Sequence, residues 1–194
     1  MTSPQPPSHC AVALKEWATV LEAMKRGEQL VLIRKGGLVE PGSGFELRAS
    51  SFVFYPTFEH QAVNYLRSPY RVYFEEALKQ RAPDGQVRVD LFGVAVASQQ
   101  SRDPGVIERL RAFHIYNEEF VQQRLRWQAD QPLMIVVVRA FQLEVPQRLT
   151  VLARYAGCTS WVELEGSLSL TGARPVLDDQ TFQHRLQALT PLLA

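Results

Sequence analysis

The run Leu133-Met134-Ile135-Val136-Val137-Val138 constrains this chain most. It is the longest apolar stretch, yet far too short to span a bilayer as a helix, which needs about 20 apolar residues. Opened by Pro132, it reads as the strongest strand, over residues 133–143. A strand this apolar must be buried in a sheet. With 194 residues the chain can build one good hydrophobic core and little more, so a single domain is expected.

Helical and strand patterns interleave around this run. Residues 1–9, with Pro4, Pro6 and Pro7, read as a disordered leader ahead of one globular domain over 10–194. From Ala11 the spacing of Leu14, Trp17, Ala18, Leu21 and Met24 predicts a helix that Gly27 stops. Residues 29–34, 45–48 and 52–55 read as strands of a meander, with Pro41-Gly42-Ser43-Gly44 as a turn. Helices are expected over 58–66 and 70–81, then a strand over 86–97 after the turn Pro83-Asp84-Gly85. Asp103-Pro104 and Asn117 are helix starts, the second for 118–127. Short strands over 149–152 and 160–164 and a last helix over 181–189 complete the chain. This order gives an α+β domain with a mixed, mostly antiparallel sheet, able to curl toward a barrel, and flanking helices.

Composition excludes some functions. Lys+Arg 21 against Asp+Glu 20 leaves a net charge of +1, so general coating of nucleic acid is disfavoured and any such role needs a local patch. Cys10 and Cys158 are the two cysteines, and with four histidines they do not cluster as zinc ligands. Such sparse thiol usage fits a reducing cytoplasm, and residues 1–9 lack the basic and apolar regions of a signal peptide. The P-loop pattern and the dinucleotide fingerprint are absent, and no cofactor or membrane partner is expected.

Several side chains are candidates for a ligand site. Arg34-Lys35-Gly36-Gly37 can hold a phosphate against backbone amides, or it is a basic hairpin turn. His60, with Glu59 at an expected strand-to-helix junction capped by Thr57, can serve as a base or an anion ligand, or simply bond a neighbouring strand. His114 begins a stretch that runs to Arg124 and Trp127; Phe120 and Arg124 share a helix face, so a guanidinium stands beside an apolar anchor. An ion pair from Arg124 to Glu119 or Asp130 is the bland alternative, and Trp127 reads as core rather than as a stacking platform. In Gly157-Cys158-Thr159-Ser160-Trp161, Cys158 is a nucleophile only with a base nearby, and otherwise a buried thiol; Trp161 plugs the core or stacks on a ligand. Glu46 and Asp90, with Glu40, are the weak acidic candidates for metal-dependent nuclease chemistry.

Taken in order, Ala13-Leu14-Lys15-Glu16-Trp17, Leu32-Ile33-Arg34-Lys35-Gly36-Gly37, Tyr55-Pro56-Thr57 with His60-Gln61, His114-Ile115, Arg124-Leu125 with Trp127, Arg139, Gly157-Cys158 with Ser160-Trp161, and Pro175-Val176-Leu177 resemble a bacterial family known as domain of unknown function 1802. Tyr116 and Thr159 depart from it, where a tryptophan and a lysine are expected. The resemblance implies boundaries and motifs and no activity. The opening, with its glycine and a strand ending in Arg34, is also similar to small RNA-binding barrels related to the pseudouridine-synthase accessory domain. The leading expectation is a cytoplasmic binding module for an anionic ligand, RNA or a nucleotide, using Arg34, Lys35, His60, His114, Arg124, Arg139, Cys158 and Trp161. The alternatives are a degenerate nuclease or other hydrolase, and an adaptor without a ligand.

Overall fold

The computed structural model describes residues 7–35, 45–157 and 159–193. The leader up to Gln5 and Pro6, the glycines Gly36 and Gly37, Glu40, the turn from Pro41 to Gly44, and Cys158 lie outside the described residues. The apolar run forms the long strand β5 (Leu133–Thr150), paired with β4 (Gln86–Ser101) from end to end except over residues 143–146, where the register shifts. Pro146 does not end β5, so the two strands expected on either side of it are one. Around this ribbon the order is β2-β5-β4-β3-β1-β6, with β1 at His9–Trp17, β2 at Val31–Arg34, β3 at Ser51–Thr57 and β6 at Trp161–Ser169; the two-residue β7 (Arg174–Pro175) also pairs β5. All pairs are antiparallel except β1 with β3, which gives the mixed, mostly antiparallel sheet.

Both faces of the sheet are covered, and the side chains divide with period two. Phe52 and Phe54 of β3 belong to one core with Leu14, Leu91 and Val136. Val53 and Tyr55, between and beyond them, belong to a second with Ala13, Phe92 and Phe141. Two register shifts along β4 bend the ribbon. Gly93 lies in register between the two shifts at a crowded point: a Cβ there would lie 2.9 Å from both Phe54 and Val138. The sheet curls without closing, since backbone pairing links neither β2 nor β6 to the other. Arg34 nevertheless reaches from β2 to β1, its Nη2 donating to the Lys15 carbonyl at 3.1 Å. A side chain thus ties the open edge at β2 to the far flank of the curled sheet.

The helices are α1 (Ala18–Lys25), α2 (Val72–Lys79), the short α3 (Val106–Arg109), α4 (Glu118–Arg126) and α5 (Asp179–Leu189). Asn117 caps α4 and Asp178 caps α5, each accepting from the backbone N–H three residues on, as residue type predicts. Four expectations are corrected. Residues 9–17 are a strand, not the start of a helix; flanked by β3 and β6 and buried on both sides, they lose the alternation that marks a strand. No meander forms, because β2 pairs β5 while β3 pairs β1 and β4, and residues 45–48 are outside any strand. Residues 58–66 are not an α-helix but a loop with one short 3₁₀ turn, Val63–Tyr65. Finally, Asp103 does not cap an α-helix; its Oδ1 accepts from Gly105 N, and α3 starts after it.

Candidate functional site

Because β1 and β3 run parallel, with Trp17 opposite Thr57, their carboxyl ends finish side by side. The curl of the sheet brings the end of β2 to the same place. These three ends, α4 and the loop before β6 enclose a cleft of about 190 Å³. Lys15, Glu16 and Trp17 come from β1, Arg34 and Lys35 from the end of β2, Glu59 and His60 from the loop after β3, and Tyr116 and Arg124 from the α4 region. Lys15 Nζ donates to the Gly157 carbonyl at 2.8 Å, which ties the loop before β6 to this wall.

The charges are unevenly matched. Among the described residues that line the cleft, Lys15, Arg34, Lys35 and Arg124 face Glu16 and Glu59, and Asp130 acts on Lys35 from outside it. Glu16 is buried and paired with Arg34, Nη1 to Oε2 at 3.1 Å. Lys35 is 3% exposed; its Nζ donates to the Leu125 carbonyl at 2.9 Å, and burial together with the neighbouring Arg124 lowers its pKa. Arg124 lies over the Phe120 ring at 5.1 Å, and its buried Nε has no hydrogen-bond partner among the described residues. No carboxylate pairs with Arg124 there either: Glu119 instead accepts from Asn64 Nδ2 at 2.7 Å. Burial is the main force lowering the Arg124 pKa, and Arg34 adds like-charge repulsion, although an arginine stays protonated through such shifts. Tyr116 stacks on Phe120 at 3.7 Å between ring centres, and burial raises its phenol pKa well above the ordinary value.

The fold therefore brings together Arg34, Lys35, His60 and Arg124 out of the expected set and places His114, Arg139 and Trp161 elsewhere, while Cys158 lies outside the described residues. His60 is exposed at the cleft in a left-handed backbone conformation (φ 61°), which no helix start would give it. His114 is 1% exposed and locked in the core: Nδ1 accepts from Tyr116 N at 3.1 Å, so Nε2 donates to the Ile107 carbonyl at 2.9 Å. Burial lowers its pKa to about 4. Arg139 is 2% exposed, ion-paired with Asp179 at the start of α5 and packed on Phe182, so it anchors that helix instead of lining the cleft. Trp161 packs against Phe45 and Phe52 and donates Nε1 to the Glu46 carbonyl at 2.9 Å, a core role. Trp127, expected in the core, is 40% exposed at the end of α4.

The sequence matches the family described as "Domain of unknown function (DUF1802)" over residues 13–188. The chain belongs to that family. No curated protein matches it in sequence. In solved structures it is similar to ASCH from Zymomonas mobilis, with 12% identity, 91% of this chain and 93% of that chain covered, and a TM-score of 0.45. A serine-to-alanine mutant of that protein gives the same identity and TM-score, with 94% of its chain covered.

Of the acidic candidates, Asp90 and Glu46 do not meet, and Glu40 lies outside the described residues. Asp90 is buried between Lys25 at 2.7 Å and Arg88 at 3.5 Å, while Glu46 is exposed and lines no cleft shared with Asp90. Among the described residues no group of three or more His, Cys, Asp or Glu side chains is placed to hold a metal ion. Among them, too, no helix is long and apolar enough to cross a membrane. Reading the residues in order missed Lys15, Glu16, Trp17 and Tyr116. Lys15-Glu16-Trp17 was visible as a motif, but a helix over 11–24 would have dispersed it around a cylinder. Trp17 instead packs edge-on against Phe120 and Tyr116 and stacks with Tyr65, forming the aromatic back wall.

Proposed function

We propose that this cleft binds an anionic ligand through a phosphate group, that of a free nucleotide or of RNA. The observation that carries this reading is Arg124. Among the described residues no carboxylate is ion-paired with it, and Glu16 and the Phe120 ring only partly offset the hydration that burial removes, so holding this guanidinium costs free energy. Its orphan Nε–H and the nearby Arg34, Lys35 and Lys15 form a set of donors matched to an acceptor-rich, multiply charged group. Glu16 holds Arg34 in place from one side, so that Arg34 and Arg124 keep a defined separation before ligand arrives. His60 stands exposed at the mouth and supplies a further donor. A chain of net charge +1 confines its positive potential to such a spot, which supports a compact site over non-specific coating.

Binding of adenosine monophosphate by calorimetry, and of a short single-stranded RNA by fluorescence anisotropy, tests the reading. Arg124→Gln removes one charge-assisted contact, worth about 1.5–3 kcal/mol, so affinity should fall roughly ten- to a hundredfold. The wild-type affinity should also fall as salt rises. Retention of both ligands by the double variant Arg34→Gln, Arg124→Gln at wild-type affinity refutes the site.

A further inference from the structure

A larger cleft, of about 340 Å³, lies beside the cationic one, and Lys15, Thr57, Glu59 and Gly157 line both. Its volume falls in the usual range for small-molecule sites, about 300–1,000 Å³. The two clefts differ in charge. Among the described residues the first has twice as many cations as carboxylates and the second has four of each. Three of its four cations are also paired within it. Lys25 Nζ lies 2.7 Å from Glu22 and 2.7 Å from Asp90, Arg88 Nε lies 3.5 Å from Asp90, and Arg81 lies 3.9 Å from Asp84. The fourth, Lys15, is the wall shared with the cationic cleft, and its Nζ is held by the Gly157 carbonyl at 2.8 Å. The neutral cleft also has aromatic walls. Tyr55 and Tyr155 meet edge-on at 6.2 Å, and Phe58 lies under the Arg81 guanidinium at 5.3 Å. At the rim, Gln80 accepts from Lys25 through Oε1, which leaves its NH₂ group as a donor.

We infer that the joined clefts hold one nucleotide, a nucleoside monophosphate, with its phosphate among Arg34, Lys35 and Arg124 and its nucleoside in the neutral cleft. This rests on the anion-site reading above and narrows it. A nucleic-acid strand carries a phosphate at every step, so a groove that tracks it continues its positive charge along the path. Here the charge stops at Lys15, and the next compartment offers aromatic faces and paired ions. That change from cationic to neutral matches a ligand with one anionic end and one uncharged, planar end.

The experiment is calorimetric titration of the full chain with inorganic phosphate, the four ribonucleoside 5′-monophosphates, their nucleosides, and a short unphosphorylated oligoribonucleotide. Ala156→Trp fills the neutral cleft from its exposed rim without touching the cationic one, and Ala82→Phe does so from the opposite wall. At least one monophosphate should bind about tenfold or more tightly than phosphate, which is roughly 1.4 kcal/mol. Both filling variants should abolish that gain and leave phosphate binding unchanged. Monophosphates that bind no tighter than phosphate, or a gain that survives both variants, would overturn the nucleoside assignment alone. So would an oligoribonucleotide that binds more tightly than any monophosphate and ignores the variants. Loss of phosphate and monophosphate binding together in the wild type would remove the anion site itself.

Discussion

Arg124→Met is expected to make the ligand-free protein more stable while abolishing its response to ligand. Among the described residues the wild-type guanidinium leaves a buried Nε–H unpaired, and the repulsion from Arg34 exceeds the attraction of Glu16. An unsatisfied buried donor costs about 1–3 kcal/mol, and removing it recovers that amount. Methionine loses the contact of the guanidinium with Phe120, 5.1 Å away, which is worth about 0.5–1 kcal/mol. The aliphatic volume is largely kept, so the net gain should be about 1 kcal/mol. For a chain of this size that raises the melting temperature by roughly 2–4 °C. Adenosine monophosphate should then separate the two proteins further. At a hundred times its dissociation constant a ligand stabilises the wild type by about 2.7 kcal/mol, and the variant should show no comparable shift. The assay is thermal unfolding at neutral pH with and without ligand. A variant less stable than wild type, with the ligand-induced shift preserved, would falsify the view that Arg124 is an uncompensated charge awaiting an anion.

Three further outcomes follow from the same structure. His114 is neutral in the folded state down to about pH 4 but takes up a proton near pH 6.5 when unfolded, so its contribution is full above pH 6.5 and declines as pH falls toward 4. The complete effect is on the order of 3 kcal/mol, and urea unfolding between pH 6.5 and 5 should show a flatter pH dependence in His114→Gln. Lys25→Met removes the cation shared by buried Glu22 and Asp90, which keep Arg26 at 3.0 Å and Arg88 at 3.5 Å, so the cost in urea unfolding should be about 1.5–3 kcal/mol; a loss under about 0.5 kcal/mol would show that this ion cluster is solvated. Asn117→Ala removes the cap of α4, whose Oδ1 accepts from Phe120 N at 3.1 Å, and should cost about 1 kcal/mol while weakening ligand binding through the displaced Arg124.

The parts of the fold legible in the sequence are those in which local rules and tertiary packing agree. Asn117 and Asp178 cap helices because their side chains reach orphan backbone N–H groups three residues on, a contact that needs no distant partner. The run from Leu133 is a strand because its apolar side chains can be buried on both faces. Residues 9–17 were misread for a related reason. A central strand buried on both sides shows no alternation, and Ala, Leu, Lys and Glu carry helical propensity that the ladders to β3 and β6 override. The loop after β3 gave no warning that His60 takes a positive φ, since that follows from how the chain leaves the sheet beside Trp17.

The sequence by itself determined the composition of the candidate site: cations at the ends of apolar segments, an arginine one helical turn from a phenylalanine, and a near-neutral chain that concentrates charge in one spot. Only the tertiary structure decided which of those cations meet. Arg34 and Arg124 are 90 positions apart in number yet line one cleft, because the sheet curls far enough for β2 to reach β1 through a side chain. His114, Arg139 and Trp161 instead lie buried beside local partners, although Arg139 Nε and Nη1 have none among the described residues. Whether a charged side chain is available to a ligand depends on which groups surround it in space, and spacing along the chain does not carry that information.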